Sequence, residues 1–292
     1  MSAEPQTLDP TIEEAVGDLL DLQLPEPAVL LMAGIGGGLL PERLSDADEA
    51  HFPSGAHFGP WSGARIVHGK LRDMSMWIID DVGIDAPFEP TRPWIHSLPI
   101  WVASNLGARL LVHTSAGASL RPETPLCAGE LALVTDHLNL SGQSPLTGLG
   151  ESRYGPLFPD QTRLHDPALH LVLHRAAQDR GITLHDATAA CTTGPSLETP
   201  AEQAWYAQAG ADISVQGLAL PLIGAAHAGI GVGALVTVVQ DRGEEADLRE
   251  ILERAEKLAP AIEDLLLGAA PGVVELVEET DHTDLPRVLE ED

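Results

Sequence analysis

Short apolar runs bounded by glycine or proline alternate along the chain with segments of helical periodicity, and this alternation restricts the fold more than any other feature. The apolar runs predict strands at 28–32, 74–79, 110–113, 131–135 and 232–239. The periodic segments predict helices at 11–22, 97–106, 167–180 and 201–209. Strands and helices in alternation are typical of an α/β domain with a layered core.

A last helix is predicted to begin near Glu244, because apolar residues recur there with helical spacing on one face. These residues are Leu248, Ile251, Leu252, Ala255, Leu258, Ala259, Ile262 and Leu266. Residues 275–292 are rich in Glu, Asp, Thr and Pro and bury too little apolar surface to offset their ordering entropy, so a mobile acidic tail is predicted. No repeat or linker divides the remainder, so residues 1–274 are predicted to form one domain.

The chain is strongly acidic, with 44 Asp and Glu against 16 Lys and Arg and a formal net charge of -28. Such a charge repels phosphate backbones and anionic lipids, which argues against nucleic acid and membrane partners and disfavours anionic substrates. The N-terminal residues lack the pattern of a secretory signal, so a cytoplasmic location is expected. The two cysteines, Cys127 and Cys191, have no paired spacing and are predicted to be buried free thiols in a reducing compartment.

Four short motifs follow one another along the chain. They are Ala-Gly-Ile-Gly-Gly-Gly at 33–38, the segment 111–119, Asp-His-Leu-Asn-Leu at 136–140 and Gly-Pro-Ser-Leu-Glu-Thr at 194–199. In this order and spacing they resemble the trimeric purine nucleoside phosphorylases, and the resemblance extends from about residue 28 to about residue 267. It implies a three-layer α/β/α single domain around a mixed, partly barrel-like sheet. It also implies a homotrimer and a purine or purine nucleoside as the small-molecule partner.

The resemblance assigns binding roles to residues of three of these regions. Glu198 corresponds to a carboxylate that accepts hydrogen bonds from the purine ring; the alternative is a glutamate that only complements a helix N-terminus. Ala116 and Gly117 correspond to a loop of small residues that lets the purine nucleoside approach the backbone. Phe158 matches an aromatic that one subunit lends to its neighbour's ribose pocket, and its alternative is an ordinary core residue.

Most of the family's phosphate and ribose ligands are replaced in this chain. Ile84 and Ala86 stand where the resemblance places a phosphate-binding arginine and histidine. The other replaced positions are Ala33 and Gly217 in the phosphate site, Phe88, Gln216 and Leu248 beside the sugar, and Val238 beside the purine. Arg92 is the candidate substitute cation, and its alternative is an ordinary surface arginine.

The glycine loop still offers backbone N–H groups that suit an anion, and its candidate residues are Gly34, Gly36 and Gly37. Three aspartates fall in the segment where the phosphate ligands of the family lie: Asp80, Asp81 and Asp85. Carboxylates at such a place repel a phosphate. The same aspartates are weak catalytic candidates, as general bases that activate water.

Three functions remain open on these residues. The missing ligands favour a purine nucleoside phosphorylase-like protein that is catalytically impaired or only binds a purine or nucleoside. The first alternative is an active phosphorylase, a pentosyltransferase with a rearranged anion site and phosphate as its co-substrate, and the second is a phosphate-independent nucleoside hydrolase. No other cofactor and no metal is expected, since His170 and His174 have the HxxxH spacing but no third ligand is evident nearby.

Overall fold

The computed structural model describes residues 8–34, 40–81, 92–245 and 247–281. The strands are β1 (Val29–Ala33), β2 (Ser45–His51), β3 (Arg65–Leu71), β4 (Met74–Asp80), β5 (Leu110–Ser119), β6 (Leu131–Asn139), β7 (Leu184–Thr192), β8 (Ile213–Gln216) and β9 (Gly231–Gln240). The α-helices are α1 (Leu8–Asp21), α2 (Leu98–Asn105), α3 (Pro167–Arg180), α4 (Pro200–Gln208), α5 (Ala219–Ala228) and α6 (Leu248–Asp281).

The described strands form one mixed sheet in the order β2-β3-β4-β1-β5-β8-β7-β6-β9. Strand β9, at the far end of this order, also pairs in parallel with β5 along almost the whole of both strands. This pairing closes β5, β8, β7, β6 and β9 into a barrel. Strands β1 to β4 extend from β5 as an open part of the same sheet. The predicted mixed, partly barrel-like sheet is confirmed.

Helices cover the sheet on two sides, because residues along a strand point alternately to opposite faces. One core cluster packs α1, α2 and α5 against the sheet through residues such as Ile12, Trp101 and Leu222. The other packs α3 and α6 against the opposite face through residues such as Leu169 and Leu266. The predicted three-layer α/β/α architecture is therefore the one observed.

Helix α3 shows how local sequence sets an element's limits. The side chain of Asp166 accepts hydrogen bonds from the backbone N–H groups of Ala168 and Leu169, and Pro167 occupies the first turn, where its missing N–H costs nothing. Gly181 ends the helix in the left-handed region at φ 65°. Because both signals are present in the sequence, the predicted limits of this helix are correct.

Several predictions about individual elements need correction. Strands β2, β3, β7 and β8 were not among the predicted ones, since β2 is polar, β8 is short, and polar residues interrupt the apolar ones of β3 and β7. The segment at 114–117, expected as a loop, belongs to β5. Helix α6 continues to Asp281, past the predicted start of the acidic tail, and its first predicted core residue, Leu248, is 71% exposed. Cys191 is buried as predicted, but Cys127 is exposed because it follows a turn outside the sheet.

None of the described helices is both long enough and apolar enough to cross a membrane.

Gly117 lies where β5 pairs closely with β8 on one side and with β9 on the other. A Cβ atom at this position would lie 2.6 Å from the carbonyl oxygen of Ser214 on β8 and 2.9 Å from Cγ1 of Val236 on β9. The first of these contacts is with backbone, which cannot move aside without shifting β8. The packing of the barrel therefore requires a glycine here, whatever ligand the cleft holds.

Replacing Gly117 by alanine is expected to lower the free energy of unfolding by about 1–3 kcal/mol, because the added methyl group overpacks the barrel. Gly17, in α1, is the matched control, since no atom lies within 4 Å of the corresponding Cβ position. Gly17→Ala is expected to leave stability unchanged or raise it by up to about 1 kcal/mol. Thermal unfolding of both variants measures the difference, and equal melting temperatures would contradict the close approach of β5 and β8.

Candidate functional site

The structure brings several of the predicted site residues to one side of the sheet. Ala33, at the end of β1, pairs with Thr114 of β5 and with Asp80 of β4. Further along β5, Gly117 pairs with Val215 of β8, so continuing this antiparallel register sets Ala116 opposite Gln216. Gln216 in turn pairs with Thr192, the last residue of β7. The ends of β1, β4, β7 and β8 thus meet around the middle of β5.

Glu198 is held beside this line by a short hydrogen-bond network. The hydroxyl of Thr192 donates to Oε1 of Glu198 at 3.1 Å. The side-chain amide of Gln216 donates to the carbonyl oxygen of Ser196 at 2.9 Å, which fixes the turn that precedes the glutamate. Glu198 is half-buried, so its second carboxylate oxygen can accept a hydrogen bond from a ligand.

The helix that follows does not need Glu198 as a cap. The hydroxyl of Thr199 accepts from the backbone N–H of Glu202, and the carboxylate of Glu202 accepts from the backbone N–H of Thr199. This reciprocal pair is a complete capping box, and it satisfies the N-terminus of α4. The alternative interpretation, a glutamate that serves only the helix terminus, therefore loses its main physical reason.

In the described part of the glycine loop, the backbone N–H donor is already hydrogen-bonded to the protein itself. The backbone N–H of Gly34 donates to the carbonyl oxygen and to the hydroxyl of Thr114, both at 3.1 Å. Ala33 is buried and has no side-chain donor. Gly36 and Gly37 lie outside the described residues. Of the anion-loop candidates, the one that is described already has its N–H group occupied.

The pleat of β4 separates the two candidate aspartates that the structure describes, Asp80 and Asp81. Asp80 is exposed at the end of the strand, whereas the next residue, Asp81, points to the opposite face. There Oδ2 of Asp81 lies 3.0 Å from Nε2 of His113, with side chains only 11% and 2% exposed. Asp85 lies outside the described residues, as does Phe88. Asp81 is thus the one described candidate that a partner orients.

Arg92, the candidate substitute cation, is engaged elsewhere. Its Nη1 donates to the carbonyl oxygen of His57 at 2.8 Å. Its guanidinium also lies 5.9 Å from the ring centre of Trp94, within the range of a cation–π contact. The hydrogen bond holds the side chain against the segment around His57, and the ring contact holds it beside Trp94.

Phe158 is not a core residue of its own chain, because 89% of its surface is exposed. It lies on the long connection between β6 and α3 and lines an open cavity of about 600 Å³ together with Asn139 and Ile223. Asn139 pairs with Cys191, one residue before Thr192 of the Glu198 network. Asn139 lies on β6, the barrel strand next to β7. The cavity therefore adjoins the end of β7, where Thr192 holds Glu198.

A cluster that the sequence did not predict joins β6 to the segment just before α3. Its β6 residues lie shortly before Asn139. Nδ1 of His137 is 3.0 Å from Nε2 of His165, and the carboxylate of Asp136 lies beside them. Burial lowers the pKa of His165 to about 4 and also lowers the pKa of His137. Both rings are therefore neutral near pH 7. His137 stands in a motif that was singled out, but nothing in the sequence joins it to His165.

Solved structures with the same fold are purine nucleoside phosphorylases. The Schistosoma mansoni enzyme in complex with adenosine superposes with a TM-score of 0.81 at 19% identity, over 98% of this chain and 100% of that chain. A schistosome enzyme in complex with hypoxanthine gives a TM-score of 0.80 at 20% identity, over 90% of this chain and 98% of that chain. The closed sheet is thus that of a nucleoside phosphorylase fold.

Sequence comparison gives the same class. Residues 40–270 match the model of the Phosphorylase superfamily. The chain is 30% identical over 226 residues to purine nucleoside phosphorylase 1 of Bacillus subtilis, covering 75% of this chain and 81% of that protein. It is 29% identical over 267 residues to the purine nucleoside phosphorylase of Bos taurus, covering 85% and 90%. The chain belongs to the phosphorylase superfamily and, within it, to the purine nucleoside phosphorylase family.

Replacing Asp81 by alanine is expected to destabilise the fold by about 1–3 kcal/mol, because it leaves Nε2 of His113 buried without its acceptor. Asp80→Ala is the control: the residue is adjacent and exposed, so a change within about 0.5 kcal/mol is expected. Chemical denaturation of both variants provides the comparison. Equal stabilities would show that the Asp81–His113 contact contributes nothing to the folded state.

Proposed function

We propose that this chain binds a purine or purine nucleoside at Glu198 and that its capacity for phosphorolysis is strongly impaired. The observation that carries the proposal is the orientation of Glu198 by Thr192 at the end of β7, apart from any role as a helix cap. A carboxylate held in this way accepts hydrogen bonds from ring N–H groups and from an exocyclic amine, which are donors that purines present. The small side chain of Ala116, in the neighbouring strand, leaves room for a flat ring to approach the backbone.

The anion side of the site supports the second half of the proposal. The hydroxyl donors expected of a phosphate site are replaced by Ala33 and Gly217, and its cationic donors by Ile84 and Ala86, two positions outside the described part of the chain. The N–H of Gly34 is bonded to Thr114, and Arg92 is bonded to the carbonyl oxygen of His57. Each charge-assisted contact that is missing removes about 1.5–3 kcal/mol from the binding of the phosphate dianion.

Hydrolysis is a second candidate function, favoured by the contact between Asp81 and His113. A carboxylate that orients an imidazole is a common arrangement for general-base catalysis, because it fixes the ring's tautomer and stabilises its charged form. Asp81 lies next to Ala33 at the end of β1, since its backbone N–H donates to the carbonyl oxygen of Ala33 at 2.9 Å, and His113 pairs with the preceding residue, Met32. Water activated there would attack the sugar carbon in place of phosphate.

The purified protein is expected to bind hypoxanthine or guanine and to release little base from inosine or guanosine, with no response to millimolar phosphate. Calorimetry measures the binding, and chromatography of the free base measures turnover. Rapid release that requires phosphate would overturn the impaired-site proposal. Release without phosphate that Asp81→Asn abolishes would establish the hydrolase instead.

Variants of the Glu198 network test the binding half of the same prediction. Glu198→Gln is expected to weaken purine binding by about 10- to 100-fold, and Thr192→Val by about 3- to 10-fold, because the first removes the charged acceptor and the second only its orientation. Thr193→Val is the control, since this exposed hydroxyl donates to the carbonyl oxygen of Ser141 instead. Unchanged binding in Glu198→Gln would place the purine elsewhere.

We also propose that the chain assembles as a homotrimer in which Phe158 enters a neighbouring subunit. A phenylalanine with 89% of its surface exposed on a monomer costs hydration free energy that a subunit contact would recover. Light scattering after size exclusion is expected to give three times the chain mass of 30.9 kDa. Phe158→Ala is expected to weaken nucleoside binding more than base binding. A monomeric mass, or equal losses for nucleoside and base, would contradict this assembly.

A further inference from the structure

Three side chains that the proposed function does not use converge between strand β6 and the segment before α3. They are Asp136, His137 and His165, and they are called the histidine cluster below. Each offers one ligand atom, and these atoms all lie within 4.8 Å of one another. Asp136 and His137 are consecutive on β6, and His165 bridges to Val232 at the start of β9. The cluster therefore joins two strands of the barrel to the chain that enters α3.

The spacing of the two imidazoles suits a shared metal ion. Ligand nitrogens about 2.0–2.1 Å from one ion lie about 2.8–3.4 Å apart when the angle at the metal is between about 90° and 110°. The observed separation of Nδ1 of His137 from Nε2 of His165 is 3.0 Å. A single N–H···N hydrogen bond has the same length, so the third ligand and the surroundings decide between the two.

The third ligand is held in position by the backbone. Oδ1 of Asp136 accepts a hydrogen bond of 2.7 Å from the N–H of His137, which fixes the carboxylate beside the ring. Two imidazoles with one carboxylate form the donor set of open zinc sites and of mononuclear iron(II) sites, in which water fills the remaining positions. The bond to its own neighbour holds this carboxylate within reach of both imidazoles, so it is available as a third ligand.

The hydrogen bonding of His165 is incomplete without a further partner. The residue is only 9% exposed, and its Nδ1 has no hydrogen-bond partner among the described residues. The carbonyl oxygen of Val134 lies near the ring and favours its charged form, but it does not meet hydrogen-bond geometry. Metal-bound histidines typically direct their second nitrogen to a backbone carbonyl, and the carbonyl of Val134 is the nearby candidate for that role.

The position of the histidine cluster indicates that a bound ion would have a structural role. Residues 140–164 connect β6 to the start of α3 without a regular helix or strand, and they carry Phe158 and most of the lining of the cavity. His137 precedes this connection and His165 follows it, so one ion would link its two ends. Such a link lowers the entropy of the unfolded connection and stabilises the folded one. The net charge of -28 also raises the local concentration of cations.

We propose that Asp136, His137 and His165 bind one divalent transition-metal ion, with affinity for Zn²⁺ and Co²⁺, which fastens both ends of the connection that carries Phe158. This revises the expectation from sequence that the chain has no metal site. It also differs from the HxxxH pair considered there, since His174 instead contacts Asp186, with 2.7 Å between Nε2 and Oδ1.

The test uses the untagged full chain after treatment with a chelator. Titration with Co²⁺ is expected to produce visible ligand-field absorption that saturates at one ion per chain and is displaced by Zn²⁺. Saturating Zn²⁺ at about 100 times the dissociation constant is expected to raise the melting temperature by about 5 °C or more. Failure to bind either ion, or binding without a change in melting temperature, would overturn the proposal.

Three variants locate the ion. His165→Gln keeps a polar side chain beside His137 but is a poor ligand, and it is expected to weaken Co²⁺ binding at least about 100-fold. Asp136→Asn changes an exposed residue with little risk to folding, and a loss of about 10-fold is expected. His174→Gln is the matched control on the exposed face of α3 and is expected to bind normally. Loss of binding in His174→Gln, with His165→Gln unaffected, would assign the ion to the HxxxH pair and overturn the proposed site.

Discussion

The pairing of β5 with β9 is the constraint on which the rest of the structure depends. Strand β5 pairs with β1, β8 and β9, and no other described strand has three partners. This is possible because β8 covers only the last part of β5, at Gly117, where no side chain separates the backbones. The closed barrel fixes where β7 and β8 end. The ends of these strands in turn fix Thr192, Gln216 and the turn that carries Glu198.

The proposed function divides the candidate site into a base-binding half around Glu198 and an anion-binding half around Gly34. In the proposed base-binding half, hydrogen bonds between neighbouring strand ends hold the Glu198 carboxylate without any help from the α4 cap. In the proposed anion-binding half, the N–H of Gly34 is bonded to Thr114, and the carboxylate of Asp81 faces His113. A site of this kind retains affinity for a neutral purine more easily than for a phosphate dianion, because the acidic surface adds a repulsive field.

The histidine cluster and the cavity beside Phe158 belong to the same stretch of chain. His137 is two residues from Asn139, and Asn139 lines the cavity and pairs with β7 next to Thr192. An ion that fastens His165 to β6 would therefore act on the shape of the cavity through a connection that otherwise lacks regular structure. It would stabilise the position of Phe158 without touching the purine or the sugar.

The sequence by itself determined the elements whose signals are local. The limits of α3 follow from Asp166, Pro167 and Gly181, and the apolar runs located β1, β4, β9 and the starts of β5 and β6. The motif at 194–199 makes Glu198 a candidate because its residues are consecutive. These features depend only on residues that are close to one another in the sequence, so they can be predicted from the sequence directly.

The tertiary structure alone decided which distant residues meet. The closure of the barrel, the facing of Asp81 toward His113 and the contact of His137 with His165 each join residues from separate elements. Of the strands missed in the sequence, β2 is polar, β8 is short, and β3 and β7 interrupt their apolar residues with polar ones, so all four depend on pairing more than on a continuous apolar run. Strand pairing and side-chain convergence depend on register and on the pleat, and neither is encoded in any single stretch of sequence.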